Sequence, residues 1–385
     1  MLPHCKVPSL QSRGEDCDDS TARSSSLLHK YLCHPNHQQG ESLVPRLKDQ
    51  IIQEDIDQIK KSIDHESFHG KRILLSGGSG FVGSWICDVL SQIGSKIICL
   101  DNLSTGIIEN VEHLNGTKGF EFEKADVCTY SRSPRVDMVF HLASRPAPED
   151  YQKHPVETAL ANATGTDKML DLARKNDARL FYSSSSEVYG DPEVFPTPES
   201  YEGKVDPLGP RSCYEEGKRF GEALCKAYHD QYGLDVRIGR LFNSYGPRLR
   251  PDGLYGRVVS RFIMQAQRGD DVTVFGDGSQ TRSFCYVADS VTGILRLVGK
   301  NDAGEGVLNI GNDEERKILY LAETVKKLTG SSSKIRFLPF PKGDHRRRLP
   351  DTKRSTEEIG WSPTTDMENG LTRTISWLKK MQKRK

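Results

Sequence analysis

Tyr214 and Lys218 stand four residues apart in CYEEGKRFGEALCKAYHDQYG, a stretch whose pattern predicts a helix. Four residues is about one helical turn, so both side chains project from the same face. A lysine cation beside a phenol stabilises the phenolate and draws its pKa down from about 10 towards neutrality. Such a tyrosine can take the proton of a sugar hydroxyl while hydride leaves for a nicotinamide. Upstream, SSSSEVYG sets four hydroxyls at residues 183–186 and a carboxylate, Glu187, directly behind them. A hydroxyl from that run would complete the hydrogen bonding around the tyrosine. Taken alone, a Tyr/Lys pair at this spacing is a common surface pairing, and Ser186 with Glu187 an ordinary strand-end cap. What precedes them changes the balance.

SGGSGFVG places Gly77, Gly80 and Gly83 between a predicted strand and a predicted helix. Glycines there allow a tight turn, a close approach of backbone to a pyrophosphate, and contact between helix and strand; the helix N-terminus adds unpaired N–H groups. Asp101 ends the next predicted strand about 18 residues after the last glycine, where a carboxylate accepts both ribose hydroxyls and repels a 2′-phosphate. NAD is therefore favoured over NADP. Asp126 closes a further strand-like stretch and is placed to reach the adenine amino group. The expected cofactor lining is Gly77, Gly80, Phe81, Val82 and Gly83 from the turn, Asp101 with Asn102, and Asp126 with Val127. Leu142 and Ala143 follow a later strand, and Tyr214 and Lys218 complete the set.

These residues need a scaffold that brings strand ends together. RILLSG (72–77), KIICLDN (96–102), DMVFHLAS (137–144) and ARLFYSSSS (178–186) read as strands, with helical patterns at 81–94 and 155–176 between them. Alternation of this kind predicts an α/β fold: a Rossmann-type, doubly wound parallel sheet spanning 71–245. Beyond Gly246 the pattern turns irregular, so 246–370 is expected to form mainly a smaller C-terminal substrate-binding lobe, with 283–298 returning to the sheet. Residues 1–45 are polar and serine-rich and read as a disordered tail, 46–70 as an amphipathic helix and linker, and 371–385 as a basic C-terminal tail.

Composition narrows the partners. A net charge of +1 over 385 residues gives no general attraction to nucleic acid or membrane. Nine cysteines without a CxxC spacing read as reduced thiols, and the histidines and cysteines of the first 45 residues match no zinc pattern, so no metal is expected. No run approaches the ~18 apolar residues of a membrane span, and the acidic EDCDD speaks against a transit peptide. A cytoplasmic protein is the expectation.

From residue 71 to about 362 the chain resembles the extended short-chain dehydrogenase/reductase superfamily, and within it most closely the UDP-glucuronic acid decarboxylases (UDP-xylose synthases). LDNLSTG, HLAS, SSSSEVYGDPE, DPLGPRSCYEEGKR, RLFNSYGPR, GRVVSRFI and FGDGSQTRSF carry the likeness in order. The resemblance implies bound NAD, a UDP-sugar substrate and a homodimer formed through the helix around Tyr214–Tyr232. It makes Ser185 the hydroxyl partner, Tyr214 the base and Lys218 its companion. Asn243 would touch substrate, Arg282 and Arg257 the diphosphate, and Tyr151 the sugar. Arg348, with Arg347 as its alternative, would anchor the substrate carboxylate, since a guanidinium pairs with one bidentately. One loop departs from the pattern: where the family usually reads PASPPNY this chain reads RPAPEDY, adding Arg145, Glu149 and Asp150.

All such relatives would begin by oxidising C4′ of the sugar. A 4,6-dehydratase then needs an acid to expel the C6′ hydroxyl, and its family usually places Asp before Glu after the Ser/Thr. Here that place is Ser186, with Glu187 kept. A carboxylate β to the new ketone can instead leave as CO₂, with Glu187 managing the C5′ proton. The implied reaction is UDP-glucuronate to UDP-xylose. A nucleotide-sugar 4-epimerase or 4,6-dehydratase, and a catalytically silent NAD-binding sensor or scaffold, stand as alternatives.

Overall fold

The computed structural model describes residues 49–252, 257–301, 306–341 and 343–382. The tail read over 1–45 lies outside the described residues.

Strand β1 (Arg72–Ser76) is apolar on both sides, Leu74 packing into one core and Ile73 with Leu75 into the other. A strand covered on two faces suits the centre of a parallel sheet. Its parallel neighbours are β2 (Lys96–Asp101) and β4 (Met138–His141), reached through helix α2 (Phe81–Ile93). β3 (Phe120–Lys124) continues beyond β2; β5 (Arg179–Ser185) and β6 (Val236–Leu241) continue beyond β4. The chain thus grows outwards from β1 in both directions, which is the Rossmann-type, doubly wound arrangement. Ligand crevices in such sheets open at the carboxyl ends, where the order reverses between β1 and β4.

Two stretches join this body that the sequence pattern had placed elsewhere. Val307–Ile310, expected in the smaller lobe, pairs parallel with β6 and adds a seventh strand. Residues 371–385, expected as a tail, mostly belong to helix Met367–Gln382, which buries Leu371, Ile375, Trp377 and Leu378. Helix α1 (Gln50–Lys61) forms where the amphipathic pattern predicts one. Asp49 caps it by accepting from the Ile51 N–H at 3.0 Å, and Ile52, Ile56 and Ile59 are buried in the main core. Its buried Asp55 accepts from the Tyr286 hydroxyl at 2.7 Å and pairs with Arg373 at 2.8 Å. The first and last described helices are thereby tied to each other.

The helical pattern over 155–176 divides at Ala163 into α4 (Pro155–Asn162) and α5 (Thr164–Asn176), preceded by a short α3 (Pro148–Lys153). Long α6 (Ser212–Tyr232) packs beside α4 and carries Tyr214 and Lys218. The C-terminal lobe holds α7 (Val258–Arg268) and small sheets. In one, Thr281–Ser283 lies between antiparallel Glu315–Lys317 and parallel Arg347–Arg348. That middle strand carries Arg282 to the crevice. Between these pieces α8 (Val287–Gly299) returns to the main core.

Candidate active site

A single cavity of about 1140 Å³ runs along the carboxyl ends of the strands. Every residue assigned above to cofactor, substrate or chemistry lines it, apart from the alternative Arg347. Arg347 points away and pairs with Glu315 at 2.7 and 2.8 Å, leaving Arg348 as the guanidinium inside.

At one end, the chain leaves β1 through the glycine turn. Gly77 has φ +75°, and a Cβ there would sit 2.8 Å from the backbone of Leu142 and Ala143. At Gly83 the added carbon would fall 2.2 Å from the Gly77 carbonyl. Gly80 caps α2 with no side-chain hydrogen bond, so the first-turn N–H groups face the cavity without partners inside the helix. Asp101 accepts from the N–H of Ser79 at 3.0 Å and of Leu103 at 2.8 Å; burial nonetheless holds its pKa above the ordinary value. Asp126 accepts from the Cys128 N–H and from Asn102, both at 2.8 Å. Burial opposes its ionisation, but these bonds win and lower its pKa.

The serine run divides its work. The Ser183 carbonyl receives the Lys218 ammonium at 2.7 Å, while the Ser184 hydroxyl donates to Glu222. Ser185 caps a short 3₁₀ turn, Ser186–Tyr189, by accepting from the Glu187 N–H at 3.3 Å, and its hydroxyl hydrogen-bonds Tyr214. Ser186 is buried and offers its carbonyl to Arg348 at 2.9 Å.

Tyr214 stacks on Tyr151 with ring centroids 5.2 Å apart and planes 3° from parallel. The Tyr151 hydroxyl and the Ser144 hydroxyl are buried at the cavity wall without hydrogen-bond partners among the described residues. Lys218 lies 5.8 Å from the Tyr214 ring, and burial pushes its pKa down to about 7. Tyr214 departs from the expectation of a lowered value. Burial raises its pKa, while the Ser185 hydrogen bond and the Arg257 charge pull the other way without prevailing.

Glu187 is the centre of a charged cluster. Arg211 donates to its carboxylate, Arg348 approaches it at 3.3 Å, and His345 at 3.5 Å. Burial works against its charge, yet the two guanidiniums outweigh burial and hold its pKa well below the usual carboxylate range. Arg348 is nearly sealed from solvent, with Nη1 donating to the Ser186 and Gly190 carbonyls. Its Nη2 has no hydrogen-bond partner among the described residues. Glu187, Glu215 and His345 come close enough to suggest a cation site, but two guanidiniums on the same carboxylate oppose one.

Sequence reasoning missed Arg211, Glu215, Asp344 and His345. Arg211 alone joins Glu187, Glu215 at 3.1 Å and Asp344 at 3.2 Å. Its position directly before the helix of Tyr214 was the available signal. The unusual loop resolves within itself: Arg145 donates to both carboxylate oxygens of fully buried Asp150 at 2.9 Å, so its charge is spent locally. Asn243 has φ +32° and donates to the Ser283 carbonyl at 2.9 Å; Arg257 reaches the Pro146 carbonyl.

Residues 73–311 match the NAD dependent epimerase/dehydratase family. The chain belongs to this family. Among curated family relatives, UDP-glucuronic acid decarboxylase 1 of Danio rerio is 46% identical over 307 residues, covering 80% of this chain and 72% of that protein. UDP-glucuronic acid decarboxylase 3 of Arabidopsis thaliana is 46% identical over 301 residues, covering 78% and 86%. A solved UDP-glucose 4-epimerase from Thermotoga maritima, with UDP-glucose, superposes with a TM-score of 0.75 at 30% identity, covering 81% of this chain and 99% of that one. A UDP-glucuronic acid 4-epimerase from Bacillus cereus, with UDP-glucuronic acid and NAD, gives 0.72 at 27% identity, covering 80% and 99%.

The family's NAD fits what the residues present. The turn excludes side chains where a pyrophosphate must approach, the α2 N-terminus offers N–H donors, and Asp101 stands at the end of β2 for ribose hydroxyls.

Proposed function

We propose that this chain converts UDP-glucuronate to UDP-xylose and CO₂ through a 4-keto sugar. The observation that carries the reading is Arg348, a buried guanidinium that the C-terminal lobe delivers to the cavity lined also by Ser185 and Tyr214, its Nη2 3.3 Å from Glu187 and not otherwise hydrogen-bonded among the described residues. A cation there suits a substrate that brings a carboxylate, and nothing at Ser186 can protonate a departing hydroxyl. The curated decarboxylases at 43–46% identity support the same assignment.

NAD, when bound, accepts hydride from C4′ and later returns it. Tyr214, hydrogen-bonded to Ser185, takes the O4′ proton and gives it back at the end. Lys218, fixed by the Ser183 carbonyl, places its ammonium beside the phenol. Asn243, Arg257 and Arg282 hold the nucleotide end, with Tyr151 against the sugar. Arg348 orients the carboxylate so that the C5′–C6′ bond can break towards the C4′ ketone. Incubation of the purified protein with UDP-glucuronate, followed by mass spectrometry, should yield UDP-xylose. Failure on UDP-glucuronate alongside turnover of UDP-glucose or UDP-galactose would overturn the decarboxylase reading.

The likeness to solved 4-epimerases supports a second reading, in which the keto sugar turns over and hydride returns to its other face. UDP-galacturonate as the product of the same incubation would favour it. NAD binding with no turnover of any UDP-sugar would leave a sensor or scaffold.

We also propose a homodimer through α4 and α6, which expose Val156, Phe220 and Tyr232. Among the described residues no helix is long and apolar enough to cross a membrane. With the reduced thiols, this supports a cytoplasmic site of action, which cell fractionation would test.

A further inference from the structure

The decarboxylation proposed above consumes a proton, and this inference rests on that reading. When C6′ departs as CO₂, the electron pair of the C5′–C6′ bond remains on C5′ and is shared with the C4′ oxygen as an enolate. C5′ must then gain a proton before C4′ is reduced. Tyr214 is not the source, because the proton it holds came from O4′ and returns there. Glu187 has none of its own, because Arg211 and Arg348 keep it ionised. Guanidiniums do not titrate in this range. Of the groups described as ion-paired to Glu187, His345 is the one whose type titrates near neutrality.

The position of His345 fits a conduit. Nε2 lies 3.2 Å from Glu215 and 3.5 Å from Glu187, whereas Nδ1 lies 3.7 Å from Asp191. The His345 side chain is 10% exposed and that of Asp191 is 68% exposed, so the ring stands between bulk water and the cavity. The charges around it are Glu187 on the 3₁₀ turn, Asp191 on the loop after it, Glu215 and Arg211 at the start of α6, Asp344 on its own segment, Arg282 on the neighbouring strand and Arg348. Four carboxylates face three guanidiniums, leaving the cluster one negative charge in excess.

We infer that His345, on the side of Asp191 that meets solvent, relays a proton across Glu187 to C5′ of the decarboxylated sugar, Glu187 handing it on in the same step without holding it. An N–H bond breaks, a C–H bond forms as the enolate pair collapses onto C5′, and the imidazole regains its proton from water. His345 acts through Glu187 and is a positioning and relay residue rather than one that touches substrate.

The test is His345→Gln, which keeps a polar group of similar reach but cannot carry the proton, assayed on UDP-glucuronate by rapid quench together with nicotinamide absorbance. The expected result is sugar oxidation in the first turnover at the wild-type rate, accumulation of reduced nicotinamide, and UDP-xylose formation slowed about 10²-fold, the lower end for a lost acid–base group. The pH profile of kcat should lose a limb. In His345→Gly, added imidazole should restore turnover. An unchanged kcat and pH profile in His345→Gln would overturn the relay, as would equal slowing of oxidation and product formation, which marks a structural role. Wild-type protein that makes no UDP-xylose would overturn the decarboxylase reading and the relay with it.

Discussion

Arg348 makes two bonds to backbone carbonyls and still presents an N–H edge to Glu187, so its fork geometry matters as much as its charge. Arg348→Lys should therefore lower kcat/KM for UDP-glucuronate by at least ~10-fold, since an ammonium cannot hold both carbonyls and a carboxylate in one plane; steady-state kinetics checks it. Tyr214→Phe keeps the stack on Tyr151 but removes the acidic hydroxyl. Its kcat should fall by ~10²–10⁴ with UDP-sugar affinity nearly intact, as turnover and calorimetry would show. Legibility at this scale followed locality. The meeting of Ser185, Tyr214 and Lys218 could be read because it depends on near neighbours in sequence and on one helix turn. His345 could not, and Arg211 only by standing directly before that helix, because what gives them meaning is the meeting of residues 187, 211, 345 and 348 in the fold.

Among elements, the glycine turn shows how tightly α2 is set against β1. Alanine is the better helix former by about 1 kcal/mol, yet a Cβ at Gly83 would enter the Gly77 carbonyl. Gly83→Ala should thus weaken NAD binding by ~10-fold or more and lower the melting temperature, measurable by calorimetry and thermal unfolding. The central strands were legible because apolar runs alternate with helical periodicity. Val307–Ile310 was not, being four residues long and distant from the strand it extends. In Met367–Gln382 the basic residues concealed the stripe of Leu371, Ile375 and Leu378 that its burial reveals. Similarly, the apolar spacing of α1 was evident, whereas its destination was not, since an amphipathic face does not name its partner.

Across the whole molecule, the tie between Asp55, Tyr286 and Arg373 has a pH signature. Burial raises the Asp55 pKa from 3.8 to about 6, despite the Tyr286 hydrogen bond and the Arg373 charge. The folded state therefore holds this proton more tightly than the unfolded state. Its contribution is complete below 3.8 and lost as pH rises through about 6. Roughly two pKa units correspond to about 3 kcal/mol. Urea titrations across that interval should show the decline in wild type and its absence in Asp55→Asn. The exposed face of α4 and α6 makes a separate forecast: Phe220→Glu should give monomers by size-exclusion chromatography where the parent elutes as a dimer.

The same tie reaches from residue 55 to residue 373, a separation that governs the order of events during synthesis. While the ribosome is still making the C-terminal helix, α1 has neither the guanidinium for its buried acid nor the last wall for its isoleucines. A chain stopped before residue 367 would carry a nearly complete nucleotide-binding sheet together with an unsatisfied carboxylate and an open apolar stripe. Quality-control proteases and chaperones act on such surfaces. The clasp thus makes α1 a reporter of whether translation has passed Arg373.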